Sequence, residues 1–365
     1  MELAFSAAEE AFRQTVRAFF ITEYPADILR KNRAGLALTR EEHMRAQAAL
    51  QAPGWLGTGW PKEFGGPGFT PAERFIFEEE LELAGAPAII PMGIMYIGPI
   101  ICAFGTAEQQ ARWLPATLAG DIFWAQGYSE PNAGSDLASL RTKAARAGDD
   151  YIVNGEKIWT TLGHWANWIF CLVRTSAEAR KQDGITMLCV DMRTPGVEVH
   201  PIITMDGSHE LNRVSFTDVR VPVANRIGAE GRGWFYANEL LKHERLSYAH
   251  IGRKKADLAR LRALRGAGAP DPRRLAALDM ELAALEIFVL RGLSGSLTPA
   301  AISALKILST ELAQKITALF LETRGGRAMA SPAARAYLFE RAQTIYGGAS
   351  EIQKTIIFRE LSRGV

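Results

Sequence analysis

The feature that most constrains this chain is a change of texture after Gly120 that reverses near Gly231. Between these points Trp168–Arg174, Ile185–Met192, Val197–Ile202 and Arg213–Val221 are rich in β-branched and aromatic residues, and Gly, Pro and Asp separate them. No helical run lies among them, so these segments predict a compact antiparallel β domain over about residues 122–228. The run Asp149 to Gly155 predicts a hairpin, with Asn154-Gly155 suited to its two-residue turn.

Both flanks read as helices. Ser6-Ala7-Ala8-Glu9 is a capping-box pattern, and Phe12, Val16, Phe19 and Phe20 follow at helical spacing. Gly54 to Gly68, rich in Gly and Trp, reads as a loop. Thr70-Pro71-Ala72-Glu73 sets a cap, a first-turn proline and a reciprocal acid in order, which predicts a helix over Pro71 to Ala84. Ile89 to Phe104 is apolar nearly all round and predicts a buried helix. Thr106 opens another, expected to end before Pro115. After the β segments, Trp234 to Leu264 predicts one long helix, with Leu275–Gly292, Pro299–Thr323 and a last helix after Gly347-Gly348. The division is 1–121 helical, 122–228 β and 229–365 helical, an α+β chain.

Composition removes several function classes. The 365 residues carry a formal net charge of +2, so no basic field favours nucleic acid. No apolar run reaches the ~18 residues a membrane helix needs, and the start lacks the basic-then-apolar pattern of a signal peptide. Cys102, Cys171 and Cys189 are scattered in apolar runs, which fits a reducing, cytoplasmic setting. His164, His200, His209, His243 and His250 show no metal-ligand spacing, so no metal is expected.

Chemistry concentrates in Gln126 to Thr161. Ser129-Glu130-Pro131 is followed by Ala133-Gly134-Ser135-Asp136, where small residues let backbone approach a ligand and Glu130 and Asp136 shape the loop. Trp159-Thr160-Thr161 then sets a flat ring beside two hydroxyls. Two readings fit the residues alone: a Gly- and Ser-rich turn beside a core Trp, or a grip on a flat ligand with a polar edge.

The paired segments YSEPNAGSD and NGEKIWTT resemble the flavin-binding signature of the acyl-CoA dehydrogenase family, and the helix–β–helix order resembles its fold over nearly the whole chain. The resemblance implies an N-terminal helical domain, a middle antiparallel β-barrel or sandwich and a C-terminal four-helix bundle. It implies FAD, with the backbone of Gln126 to Ser129 (Tyr128 included), Gly134, Ser135, Trp159, Thr160, Thr161 and Glu351 as cofactor contacts. Ser135, Arg245 and Tyr346 would meet the acyl-CoA substrate. The implied reaction is α,β-dehydrogenation: a base removes the α proton, hydrogen bonds stabilise the enolate-like thioester, and the β hydride passes to flavin.

The base position departs from most of the family. Where members carry Glu, this chain has Gly347 in Tyr346-Gly347-Gly348. Leu240, Leu241, Glu244, Tyr248 and Ile251 would share one helical face, which puts Glu244 on an apolar stripe. A salt bridge to an inward Arg, or a stripe edge near water, also fits that placement. Leu241-Lys242-His243-Glu244-Arg245-Leu246 resembles the base-bearing helix of isovaleryl-CoA and long-chain acyl-CoA dehydrogenases, which have Gly at the other position. That resemblance implies Glu244 as the general base. Two motifs that complete the cofactor site across subunits match poorly, at Arg253 to Leu258 and Leu321 to Arg327. The chain also resembles the large subunit of pimeloyl-CoA-type dehydrogenases. The implied partners are an acyl-CoA, an electron-transferring flavoprotein, and either a second copy or a related subunit in a dimer or tetramer. A same-fold oxidase and a non-catalytic half-site subunit are the competing expectations. Gly93 and Gly98 either open room for the acyl chain or permit tight packing.

Overall fold

The structure is a computed structural model that describes residues 4–247, 249–293, 297–325 and 331–362, with backbone alone at 241–247 and 267. The chain forms two compact units: Met1–Leu50, Phe69–Ala88 and Glu244–Val365, and Gln51–Gly68 with Ile89–His243. Among the described residues, no helix is long and apolar enough to cross a membrane.

The local helix signals act as expected. Ser6 and Glu9 cap the helix Ala7–Thr22 reciprocally, as Thr70 and Glu73 cap Pro71–Leu83 and Thr106 and Gln109 cap Ala107–Ala119. The last helix runs straight through Pro115, contrary to expectation. A mid-helix proline costs about 3 kcal/mol. Trp113, Leu114, Thr117 and Leu118 are buried on that helix and hold it together until Gly120, in the left-handed region at φ 83°, ends it. The apolar run from Ile89 is helical only from Met92, first as a π-helix (Met92–Ile97) and then as an α-helix (Gly98–Phe104). Its glycines serve packing. A Cβ on Gly98 would sit 2.2 Å from the Trp60 ring, and one on Gly93 would sit 2.9 Å from Thr117 and 3.0 Å from Trp124.

Eight strands form one sheet: β1 Trp124–Gly127, β2 Lys143–Ala147, β3 Asp150–Lys157, β4 Trp168–Arg174, β5 Ile185–Asp191, β6 Val197–Ile202, β7 Leu211–Pro222 and β8 Arg226–Ile227. The order is β6-β7-β3-β2-β4-β5-β8, with β1 beside β4. Most pairings are antiparallel, but β1 and β2 each meet β4 in parallel, so the sheet is mixed. Asn154-Gly155 is not the hairpin turn. The β2–β3 turn falls at Gly148-Asp149, and β3 runs on through Asn154-Gly155 with a bulge between Val153 and Gly155. Pairing with β7 overrides the local turn preference, and the Asn154 side chain bridges to Asp218 instead. One face of the sheet buries Tyr151, Val153, Ile169, Leu188, Val190, Val214 and Phe216.

The other unit packs helices around Phe75, Ile76, Leu258, Leu282, Leu305, Leu312 and Ile316. The expected single helix from Trp234 to Leu264 is two, Gly233–Ser247 and Ile251–Ala263. His250 breaks it at φ 41°, ψ 51°. Side chains from elsewhere satisfy the break. Glu82 Oε1 meets His250 Nδ1 at 2.6 Å, and Glu82 Oε2 accepts the Arg253 N–H at the start of the second helix. Lys254 Nζ donates to the Ala249 carbonyl at 2.7 Å. Gly252 lets this helix approach Pro71–Leu83, since a Cβ there would lie 2.5 Å from the Glu79 carbonyl oxygen.

Candidate active site

The two halves of the Gln126–Thr161 signature are joined in space. Gln126 lies on β1, in register with Phe170 of β4. Beside it Gly127 has no room for a side chain, because a Cβ would lie 2.5 Å from Cys171 Sγ. Tyr128 is buried, its ring edge-on to Phe170. The Ser129 carbonyl then accepts the Ile158 N–H at 2.9 Å, which stitches the first loop to the end of β3. Glu130 and Ala133 exchange two backbone hydrogen bonds of 3.0 Å and close the turn. Gly134 and Ser135 are exposed at its tip, with open space before Gly134.

A buried ion pair pins this arrangement. Lys157, fully buried, donates to Glu130 Oε1 at 2.8 Å and to the Tyr128 carbonyl at 3.2 Å. The Glu130 carboxylate also accepts the N–H groups of Arg141 and Thr142, at 2.6 and 2.8 Å. Burial alone would raise the Glu130 carboxyl, but Lys157 and these donors outweigh it and hold it below the usual carboxylate range. Burial pushes Lys157 down, with Glu130 opposing. Asp136 pairs with Lys181 and Ser139, so both acids shape the loop as expected.

On the far side of this wall the chain is strained. Trp159 sits at φ 61° and Leu162 at φ 52°, positions that L-residues avoid at a cost of about 1–2 kcal/mol each. Trp159 is 56% exposed. Thr160 is fully buried, and its hydroxyl has no hydrogen-bond partner among the described residues; Thr161 is half-buried. Backbone hydrogen bonds between Thr160 and Asn212, at 2.9 and 3.1 Å, dock this loop on the start of β7. An open indole face, an unused hydroxyl and strained backbone together fit a flat ligand with a polar edge.

The helical side is described in part. Glu244 and Arg245 lie on the helix Gly233–Ser247, but their side chains fall outside the described residues, as does Tyr248 altogether. The stripe expected to run on to Ile251 is interrupted at His250, so Ile251 belongs to a different helix. Tyr346 is exposed. Gly347 and Gly348 take φ 64° and 95°, a backbone that disfavours any other residue at either position. Lys306 and Gln353 hold this turn through the Gly348 carbonyl, at 2.9 and 3.2 Å. Glu351 is exposed in the first turn of the helix Ser350–Leu361. Tyr346, Gly347 and Glu351 belong to one compact unit, and the Gln126–Thr161 wall to the other.

Sequence reasoning missed the Glu130–Lys157 pair and Asn212. Glu130 and Lys157 both lie inside the signature, but their pairing depends on β3 returning beside the first loop. Asn212 had no local signal at all.

Comparison with known proteins agrees along the whole chain. Residues 6–121 match the acyl-CoA dehydrogenase N-terminal domain, 125–219 its middle domain and 231–362 its C-terminal domain. Acyl-CoA dehydrogenase IpdE1 of Mycobacterium tuberculosis (strain ATCC 25618 / H37Rv) is 37% identical over 337 residues, covering 87% of this chain and 86% of that protein. The crystal structure of the ChsE4-ChsE5 complex from Mycobacterium tuberculosis contains a chain that is 32% identical, with a TM-score of 0.86, covering 100% of this chain and 99% of that one. A chain of the Tcur3481-Tcur3483 steroid ACAD is 30% identical, with a TM-score of 0.87 and the same coverage. Acyl-CoA dehydrogenases are FAD flavoproteins. This chain belongs to the acyl-CoA dehydrogenase family and is an oxidoreductase of that kind.

Proposed function

We propose that this chain carries out α,β-dehydrogenation of an acyl-CoA thioester, with Glu244 as the base that takes the α proton. The observation that carries the assignment is the left-handed backbone of Gly347, which disfavours an acid at the usual position while Glu244 stands on the helix Gly233–Ser247. The chemistry FAD supplies when bound is acceptance of the β hydride at N5. The chain's own part is positional. Trp159 offers its exposed face to the ring system, and Thr160 and Thr161 bring hydroxyls to the edge. The backbone of Gln126 to Ser129 lines the pyrimidine side, and Glu351 adds a polar contact. Ser135, Arg245 and Tyr346 take the thioester and CoA portions. Residues 1–121, 122–228 and 229–365 serve as acyl-side, cofactor-wall and base-bearing segments, and electrons leave to an electron-transferring flavoprotein in the cytoplasm.

Glu244→Gln tests the base. Flavin bleaching by an acyl-CoA is expected to slow about a thousandfold in this variant, since a positioned base contributes on the order of 10²–10⁴. Bleaching at the wild-type rate would remove Glu244 from the mechanism.

A second reading makes the chain one half of a mixed assembly that shares a cofactor site with a related subunit. Two observations favour it: the poor match of the Arg253 to Leu258 and Leu321 to Arg327 segments to the inter-subunit motifs, and the two-protein complexes among the similar structures. The steroid ACAD among them makes a bulky polycyclic thioester the substrate class to test first. Under this reading the chain expressed alone is colourless and gains flavin absorbance only with its partner. One FAD per chain in the lone protein would overturn it.

A further inference from the structure

Asn212 lies fully buried beneath the cofactor wall, and its side chain meets three groups at once. Nδ2 donates to the Thr160 carbonyl at 3.1 Å and contacts His164 Nδ1 at 3.1 Å, while Oδ1 contacts His209 Nε2 at 2.9 Å. A carbonyl oxygen only accepts, so the atom facing Thr160 is the amide nitrogen and the amide orientation is fixed. It follows that His164 Nδ1 is a bare acceptor and His209 Nε2 carries a hydrogen. The two imidazoles stack with centroids 4.0 Å apart and planes inclined by 19°, and Trp165 lies edge-on to His164.

We propose that Asn212 is a positioning residue for the cofactor wall and that its hold on Thr160 requires a neutral His164. A proton on His164 Nδ1 would set donor against donor. The amide would then have to turn, which withdraws Nδ2 from the Thr160 carbonyl. The two backbone bonds between Thr160 and Asn212 remain, so loss of the side-chain bond loosens, without freeing, the stretch from the strained Trp159 to the strained Leu162.

The surroundings favour the neutral ring. Loss of hydration against the stack pushes His164 below its ordinary value, and the His209 charge adds to it. His209 is the charged neighbour that bears on His164. Glu210, next in the chain, gives its carbonyl to the Leu162 N–H, and the Asp206 carboxylate is engaged by Thr204 and Ser208. Both imidazoles are exposed and open to protons from solvent, whereas the amide they grip is not.

The proposal depends on reading Trp159–Thr161 as the cofactor wall only for its consequence, so the first measurement needs no flavin. Amide hydrogen exchange of residues 158–163 is followed in the full chain, with β4 amides as control. After correction for intrinsic rates, wild-type protection is expected to fall about tenfold between about pH 7.5 and about pH 5.5. His164→Gln keeps an acceptor without a titrating ring and should hold its protection at both pH values. Asn212→Ala should lose it at both. An equal acid response in wild type and His164→Gln would overturn the proposal, and so would unchanged protection in Asn212→Ala. If the alanine variant does not fold, the glutamine comparison decides alone. FAD affinity, read by flavin fluorescence, should weaken about tenfold in Asn212→Ala and on acidification of the wild type, and unchanged affinity overturns the link to the cofactor. A wild type that takes up no FAD would count against the functional reading and leave the exchange result standing.

Discussion

The Gln126–Thr161 wall and the helix Pro71–Leu83 both bury carboxylates, and they support them in opposite ways. In the wall a single acid, Glu130, faces a single cation, Lys157, which is wholly out of water. In the helix, Glu79 and Glu80 are just as deeply buried but share several cations whose other ends reach solvent. Arg13 meets both acids, Arg17 adds two bonds to Glu80, and Lys255 adds one to Glu79. A pair of one acid and one cation ties its loops to one geometry, at the cost of desolvating both charges. A shared network tolerates loss of a member. The wall holds a strained turn that the proposed chemistry needs in place, while the helix only has to stay packed.

The largest break in this contrast is Lys157→Met. It leaves Glu130 buried with two backbone donors and no cation, and is expected to destabilise the fold by about 3–5 kcal/mol in urea titration. Acid sharpens the same point. Glu130 in the wild type lies below its ordinary value of 4.5, so its contribution is complete above that value and is lost as pH falls through the lower folded value. In the variant the sign reverses, because a buried carboxylate without its cation prefers the proton. The stability gap between the two proteins should therefore begin to narrow above pH 4.5, as the variant's carboxyl takes its proton, and go on narrowing below 4.5 as the wild type loses its pair. A gap independent of pH would mean that Lys157 acts by packing alone.

What the sequence makes legible follows the same division between local and distant causes. The capping boxes at Ser6 and Thr70 depend on residues three apart and form as read, and the helix start at Thr106 proves to be a third. The strands from Trp168 to Val221 are declared by their own composition. Asn154-Gly155 misleads because a turn preference is weaker than the pairing of β3 with β7 along its length and with β2 as far as Asn154. The break at His250 is held by Glu82, 168 residues away, and no periodicity between Trp234 and Leu264 reports it. At the site, the signature announces a wall through resemblance, but its pins lie 27 residues apart for Glu130–Lys157 and 52 for Thr160–Asn212. Those distances are closed by topology, which only the fold supplies. Glu244 and Ile251 lie on two different helices, because the chain breaks at His250, so periodicity does not put them on one face. The case for Glu244 now stands on its place in the helix Gly233–Ser247 and on the backbone at Gly347.

The smaller effects lie in the shared network, and the two arginines separate burial from contact. Arg13→Met removes a cation whose side chain is 12% exposed, yet Glu79 keeps Lys255 and Glu80 keeps Arg17. A loss of about 2 kcal/mol is expected, below that of Lys157→Met because neither acid is orphaned. Arg17 makes more bonds to Glu80 than Arg13 does, but its side chain is 46% exposed, so much of its interaction is returned to water when the chain unfolds. Arg17→Met should therefore cost only about 0.5 kcal/mol, and less in high salt, as exposed ion pairs do. If bond count rather than desolvation set these energies, Arg17→Met would be the worse of the two, and urea midpoints of the pair measured at low and high salt would show it.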